Sequence, residues 1–247
     1  MPHSSTYLPM HIRREILLDD NELESELQKM TDRYVDELAE DLGDCVSLIK
    51  FQYSRLVVDP ERFRDERKEI MATVVMAAVY SSTSEGKPLR PFKEDDKELL
   101  LKTYYDPYHQ EFENKTTEII NEVDKCLIID LHSFPSKPLP YELIKKTLRP
   151  DFCIGTDDYH TPIKLVRFAE KFFQEAGFST KINEPFAGTL VPLRFYQKDK
   201  RVNSIILEIN RSLYMDEKSG EKNSGFFKIR DLIKDFIRTL ANHTTGK

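Results

Sequence analysis

The 247-residue chain is 39% hydrophobic and 32% charged, which suits one globular α/β domain, and its net charge of −6 excludes a general nucleic-acid binder. Its three cysteines, Cys45, Cys126 and Cys153, lack paired spacing, which excludes a disulfide framework and a cysteine zinc finger. No apolar run approaches the ~20 residues of a membrane helix, and the Met1-Pro2-His3-Ser4-Ser5 start has no apolar leader core, so a soluble, cytoplasmic protein is expected.

Residues 1–20 read as irregular, punctuated by Pro2 and Pro9. Residues 21–42 read as mainly helical, with Asn21 as N-cap, Glu24 as its partner, and Thr31 as a candidate second cap. Leu27, Thr31, Tyr34, Val35, Leu38 and Leu42 form the apolar stripe, and Gly43 closes the segment. Asp32 and Asp36, spaced i,i+4, share another face, which is either solvent or a cleft wall. Residues 45–51 read as a strand. Arg55 and Arg62 bracket a short apolar piece and Pro60, either as surface ion pairs or as forks for a carboxylate. Residues 69–80 fit helix or strand, and 81–91 are a loop that either connects or covers. A long helix is expected over 93–122, with a kink at Pro107 and His109 on its packed face or edge.

The Cys126–Ile129 apolar run fits a strand covered on both faces. It ends in Asp130-Leu131-His132-Ser133, and ligands in α/β sheets bind beyond the carboxyl ends of strands. His132 is therefore a candidate metal ligand, the alternative being a loop histidine with a local hydrogen bond. Further elements are a short helix over 141–148, a strand over 152–156, a helix over 161–176, a possible strand over 178–182, a strand over 204–211 and a helix over 224–242. This alternation means α/β, a mixed central sheet with helices on both faces. Glu208 lies inside Ile-Leu-Glu-Ile, where a carboxylate is costly unless paired or functional. Two imidazoles and a carboxylate on a metal, with a second carboxylate as base, is the usual equipment of a zinc hydrolase. His3, His132 and Glu208 are the scattered candidates for it.

The residues also carry a resemblance. Pro2-His3-Ser4, Asp32-Arg33-Tyr34-Val35-Asp36, Asp59-Pro60-Glu61-Arg62, Tyr105-Asp106-Pro107-Tyr108-His109, Asp130-Leu131-His132-Ser133-Phe134, Pro185-Phe186-Ala187-Gly188 and Leu207-Glu208-Ile209-Asn210-Arg211 with Leu213-Tyr214-Met215 occur in this order over most of the chain. Together they resemble the N-formylglutamate amidohydrolase family of zinc carboxypeptidase-like hydrolases. The resemblance implies a phosphorylase/hydrolase-like fold and a Zn2+ cofactor. It implies His3, His132 and an acidic residue of the Asp-x-x-x-Asp segment as ligands, Asp36 ahead of Asp32. Glu208 would be the general base, and Arg62 and Arg55 would bind the substrate carboxylate. Arg211 would stabilise the site or pair with a carboxylate. The implied partner is a small-molecule N-acyl amino acid, with no nucleic acid and no membrane. Related deacylases carry Asp-Leu-Asn-Arg where this chain has Asp59-Pro60-Glu61-Arg62. A peptidase or cell-wall amidase of the same fold, and a family member that binds without turnover, are the other readings.

Overall fold

The computed structural model describes residues 1–74, 76–91 and 94–245. A mixed sheet organises it, with strands β1 (Cys126–Phe134), β2 (Phe152–Gly155), β3 (Thr180–Ile182) and β4 (Val202–Asn210) in the order β1-β4-β2-β3. β1 and β4 run parallel in unbroken register from Cys126↔Val202 to Phe134↔Asn210. β2 is antiparallel to β4 and parallel to β3.

Side-chain alternation along the two long strands assigns their faces. Leu127, Ile129 and Leu131 of β1 and Ile205, Leu207 and Ile209 of β4 join one core with α3 (Val35–Leu38), α6 (Ile163–Glu175) and α7 (Phe226–Thr245). Cys126, Ile128 and Val202 pack on the other face with Ile119 and Ile120 of α5 (Asp106–Val123). Helices therefore cover both faces, as expected. Asp130 and His132 share the second face with Glu208, and the register sets Glu208 beside His132.

Several expectations change. The first long helix, α2 (Asp20–Met30), follows α1 (Met10–Glu15) and starts at Asp19, whose carboxylate accepts from Glu22 N while Glu22 returns a bond to Asp19 N. That capping box replaces the expected Asn21–Glu24 pair. α2 ends at Met30, and Tyr34 turns the chain with a left-handed φ of 66° before α3. The Tyr34 hydroxyl donates to Gly220 O at 2.8 Å, and its ring packs edge-on to Phe226, which holds the turn. Residues 45–51 form no strand. Residues 141–148 form no helix: Glu142 accepts from Leu139 N and pairs with Arg149, so side chains satisfy what helix bonds would have.

The long helix expected over 93–122 is α4 (Glu94–Leu100), a π turn over Leu101–Tyr105 and then α5. The wide turn lies just ahead of Pro107, which has no N–H to give the ladder. Lys93 lies outside the described residues, as does Val75 in the ambiguous 69–80 stretch, where a 3-10 turn covers Ile70–Val74. The 81–91 loop is pinned by buried Glu26, which accepts from Ser84 N and Oγ at 2.6 and 2.8 Å. Cys126 and Cys153 are buried, whereas Cys45 is exposed. Among the described residues no helix is long and apolar enough to cross a membrane.

Candidate active site

The carboxyl ends of β1 and β4 open into a cavity of about 360 Å³. Segments remote in sequence meet there: the N-terminal His3, the turn after α2 with Asp32, the 55–62 loop, His132 of β1 and Glu208 of β4. His3 and His132 are each 2% exposed, and their ring centroids are 4.9 Å apart. Asp32 Oδ2 lies 3.1 Å from His132 Nδ1 and 3.8 Å from His3 Nδ1. Ligand atoms of these three residues all lie within 4.8 Å of one another.

Asp32, not Asp36, is the acid beside the imidazoles. The i,i+4 relation expected between the two vanishes because α2 stops at Met30 and the chain reverses at Tyr34. Asp32 N donates to His3 O at 2.9 Å, which ties the N-terminal strap to this turn. Asp36 points elsewhere and pairs with Lys50 on the half-buried surface.

Each member of the trio is backed on its far side. His3 Nε2 hydrogen-bonds Asp59 Oδ1 at 2.8 Å, and His132 Nε2 lies 3.1 Å from Asp130 Oδ1. Arg211 donates to Asp32 Oδ1 at 3.0 Å, leaving Oδ2 toward the imidazoles. Imidazoles whose second nitrogen faces a carboxylate have the orientation of metal ligands. The donor set of two nitrogens and one carboxylate oxygen is one that suits zinc. The residues fit a metal.

The charges at the site depart from their ordinary values. Burial, helped by Arg55, pushes His3 below its ordinary value and so favours the neutral ring, outweighing Asp59, which favours the charged one. Burial would lower His132 too, but the Asp130 and Glu61 carboxylates overcome it and hold it well above the usual range. Burial would raise Asp32, yet the hydrogen bond and charge of His132, with Arg211, hold it well below the usual carboxylate range. Burial pushes Glu208 up to about 8. Its Oε2 is buried without a hydrogen-bond partner, on the cavity wall.

The three candidate arginines, Arg55, Arg62 and Arg211, all reach the cavity but are not equivalent. Arg55 donates to Asp59 Oδ2 at 2.6 Å and to the Tyr80 hydroxyl at 3.0 Å, so it braces the carboxylate behind His3. Arg211 is engaged by Asp32, Ser133 and Lys29 O. Arg62 keeps a buried Nε without a hydrogen-bond partner, 3.6 Å from Asp59. Glu61, 19% exposed, sets Oε1 at 3.4 Å from His132 Nε2 and Oε2 at 3.8 Å from His3 Nε2.

His109 and His160 lie outside the site. His109 Nε2 meets Pro60 O at 2.7 Å, and His160 bridges Val202 O and Gln197 N. The sequence did not single out the backing carboxylates Asp59 and Asp130 as site residues. Asp130 was legible in principle: two positions before His132 on a strand, it shares that residue's face. Asp59 carried no such signal, because its partner is 56 residues away.

The sequence profile of the N-formylglutamate amidohydrolase family matches residues 1–215. The chain belongs to the N-formylglutamate amidohydrolase family. It is 26% identical over 228 residues to an N-formylglutamate deformylase of Pseudomonas putida, covering 88% of this chain and 80% of that one. Its fold is similar to the crystal structure of N-formylglutamate amidohydrolase from Ralstonia eutropha JMP134, with a TM-score of 0.85 and 21% identity over 99% of this chain and 92% of that one. A second crystal structure, of a protein from Agrobacterium tumefaciens, gives a TM-score of 0.67 and 17% identity over 98% and 87% of the two chains. Family membership makes the chain an amidohydrolase and fits a small-molecule substrate.

Proposed function

We propose that this amidohydrolase is a zinc-dependent deformylase that cleaves the formyl C–N bond of N-formylglutamate or a close N-acyl amino acid. The observation that carries the reading is the convergence of His3, Asp32 and His132 beside the unpartnered Glu208 carboxylate in one cavity. In this reading a metal would be held by His3, His132 and Asp32. Zinc bound there would supply Lewis acidity and bring the pKa of a coordinated water to about 7. Glu208 accepts the proton of the water that adds to the formyl carbon. It then returns that proton to the amine nitrogen as the C–N bond breaks, so formate and the free amino acid leave. Arg62, whose Nε has no hydrogen-bond partner although it faces Asp59, holds a carboxylate of the substrate. Arg55 and Arg211 act one step behind, on Asp59 and Asp32.

The test is formate release from N-formylglutamate, with and without chelator, beside a panel of other formyl amino acids, peptides and cell-wall fragments. The reading expects chelator-sensitive release from the formyl amino acid and none from the peptides. Faster turnover of peptides or muropeptides would transfer the site to a peptidase or cell-wall amidase.

A pH trend follows for the metal-free protein. Glu208 and His132 both have folded-state values above their unfolded ones. Each is then protonated more in the folded state, so its stabilisation is present at low pH and lost as pH rises through the folded value. Among the groups with depressed values, His3, Asp32 and Asp59 act in the opposite sense only below about pH 6.5, whereas the buried Met1 amine opposes the trend up to about pH 8, one group against two. The melting temperature in chelator is therefore expected to fall from about pH 6.5 to pH 8 and beyond. Saturating zinc should flatten the trend, because it takes the place of the bound protons. A chelated protein that melts higher at pH 8 than at pH 6.5 would contradict these assignments.

A further inference from the structure

The segment that carries Glu61 and Arg62 is gripped from behind by the start of α5, which lines no part of the candidate active-site cavity among the described residues. The Tyr105 hydroxyl donates to Arg62 O at 2.8 Å, and His109 Nε2 meets Pro60 O at 2.7 Å. A carbonyl oxygen only accepts, so Nε2 carries the ring proton. The two rings sit one helical turn apart, with centroids separated by 4.1 Å. Asp106, next to Tyr105, accepts from Arg64 Nε at 2.9 Å. One short stretch of helix therefore holds the backbone on both sides of Glu61 and the side chain of Arg64 beyond it. The π turn over Leu101–Tyr105 lies directly ahead of this grip, and such turns occur mostly at functional sites.

The other side of the gripped segment faces the site. Glu61 N donates at 3.0 Å to Asp59 Oδ1, the oxygen that also meets His3. Arg62 N donates to Asp59 O at 3.3 Å. At its tip Arg62 is held loosely: Nε lies 3.6 Å from Asp59, and Nη1 lies 3.9 Å from Glu61. Both distances exceed a hydrogen bond. The direction of this guanidinium is then set by its backbone, and the backbone is set by Tyr105 and His109.

We propose that Tyr105 and His109 are positioning residues that clamp the backbone of Pro60 and Arg62 and so aim the Arg62 guanidinium at a carboxylate of the substrate. The proposal rests on the reading that Arg62 holds that carboxylate. Turn carbonyls need partners in any case. A partner that only satisfied them would matter for folding, whereas a clamp acts on substrate binding through Arg62. Neither residue touches substrate.

The test uses Tyr105→Phe, which removes one hydroxyl and keeps the ring, His109→Ala, and His109→Gln, whose amide restores a donor. Formate release from N-formylglutamate and zinc competition are measured on each, together with exchange of the Glu61 and Arg62 amides in chelator. Tyr105→Phe and His109→Ala are each expected to raise KM by ~3- to 10-fold, the size of one net hydrogen bond. Because the lost binding is shared by ground and transition states, kcat should stay within about twofold, with zinc affinity unchanged. Exchange of the two amides should quicken, and His109→Gln should bring KM back toward the parent. In an Arg62→Ala background Tyr105→Phe should no longer change KM, since the clamp then has nothing to aim. Unchanged KM in both Tyr105→Phe and His109→Ala, a loss confined to kcat, or an effect of Tyr105→Phe that persists without Arg62 would overturn the proposal. Exchange keeps this separate from the proposed function. A parent that releases no formate fails that function, whereas amides that exchange no faster in the variants fail the clamp whether or not the parent is active.

Discussion

Glu208→Gln is expected to bind zinc as tightly as the parent and to lose kcat by ~10²- to 10⁴-fold, with KM little changed. The amide keeps the shape of the carboxylate but cannot take a proton from water. Glu208 sits beside His132 in the sheet register, yet it is not one of the residues that converge on Asp32 Oδ2, so the ligand set is left intact. The loss should not come from instability. Burial raises Glu208 to about 8, so the folded protein gains little from the ionised carboxylate and loses little when it is made neutral. Kinetics with metal analysis and a melting curve on the same sample separate these effects. Turnover within about tenfold of the parent would remove Glu208 as the base.

Asp32 and Asp36 should part company under substitution. Asp32→Asn is expected to weaken zinc binding by more than the ~10- to 100-fold typical of groups that merely orient a ligand, and activity should fall with it. The amide still offers an oxygen to Arg211, which limits damage to the buried network around that guanidinium. Asp36→Ala removes an ion pair with Lys50 on the half-buried surface, with an expected cost of at most about 1 kcal/mol and normal metal content. Equilibrium zinc competition on both variants is the measurement. Normal zinc binding by Asp32→Asn with loss in Asp36→Ala would reverse the assignment.

The contrast between these aspartates shows where the sequence was readable. His132 and Glu208 lie on strands that were visible as apolar runs, but their common face follows from the β1–β4 register, which no local pattern carries. Asp32 depended on where a helix stopped. The periodicity of 21–42 continues through Met30, but the backbone reverses at Tyr34, and no local rule signals a left-handed tyrosine. His3 joins the site through a strap that carries almost no pattern, held by Asp32 N on one side and Asp59 on the other. The arginines were recognisable as residues but not as roles. Whether a guanidinium meets substrate or braces a neighbouring carboxylate depends on contacts 20 to 180 residues away, as for Arg55 with Tyr80 and Arg211 with Asp32. The 45–51 stretch has the composition of a strand and no strand beside it, so its propensity goes unused.

The most direct test of the account is a zinc titration of protein first stripped with chelator, following bound metal and formate release from N-formylglutamate on the same samples. The account predicts that both rise together and saturate at about one zinc per chain, as a site with His3, Asp32 and His132 requires. Full turnover in the stripped protein, or zinc binding that saturates without any formate release, would contradict it.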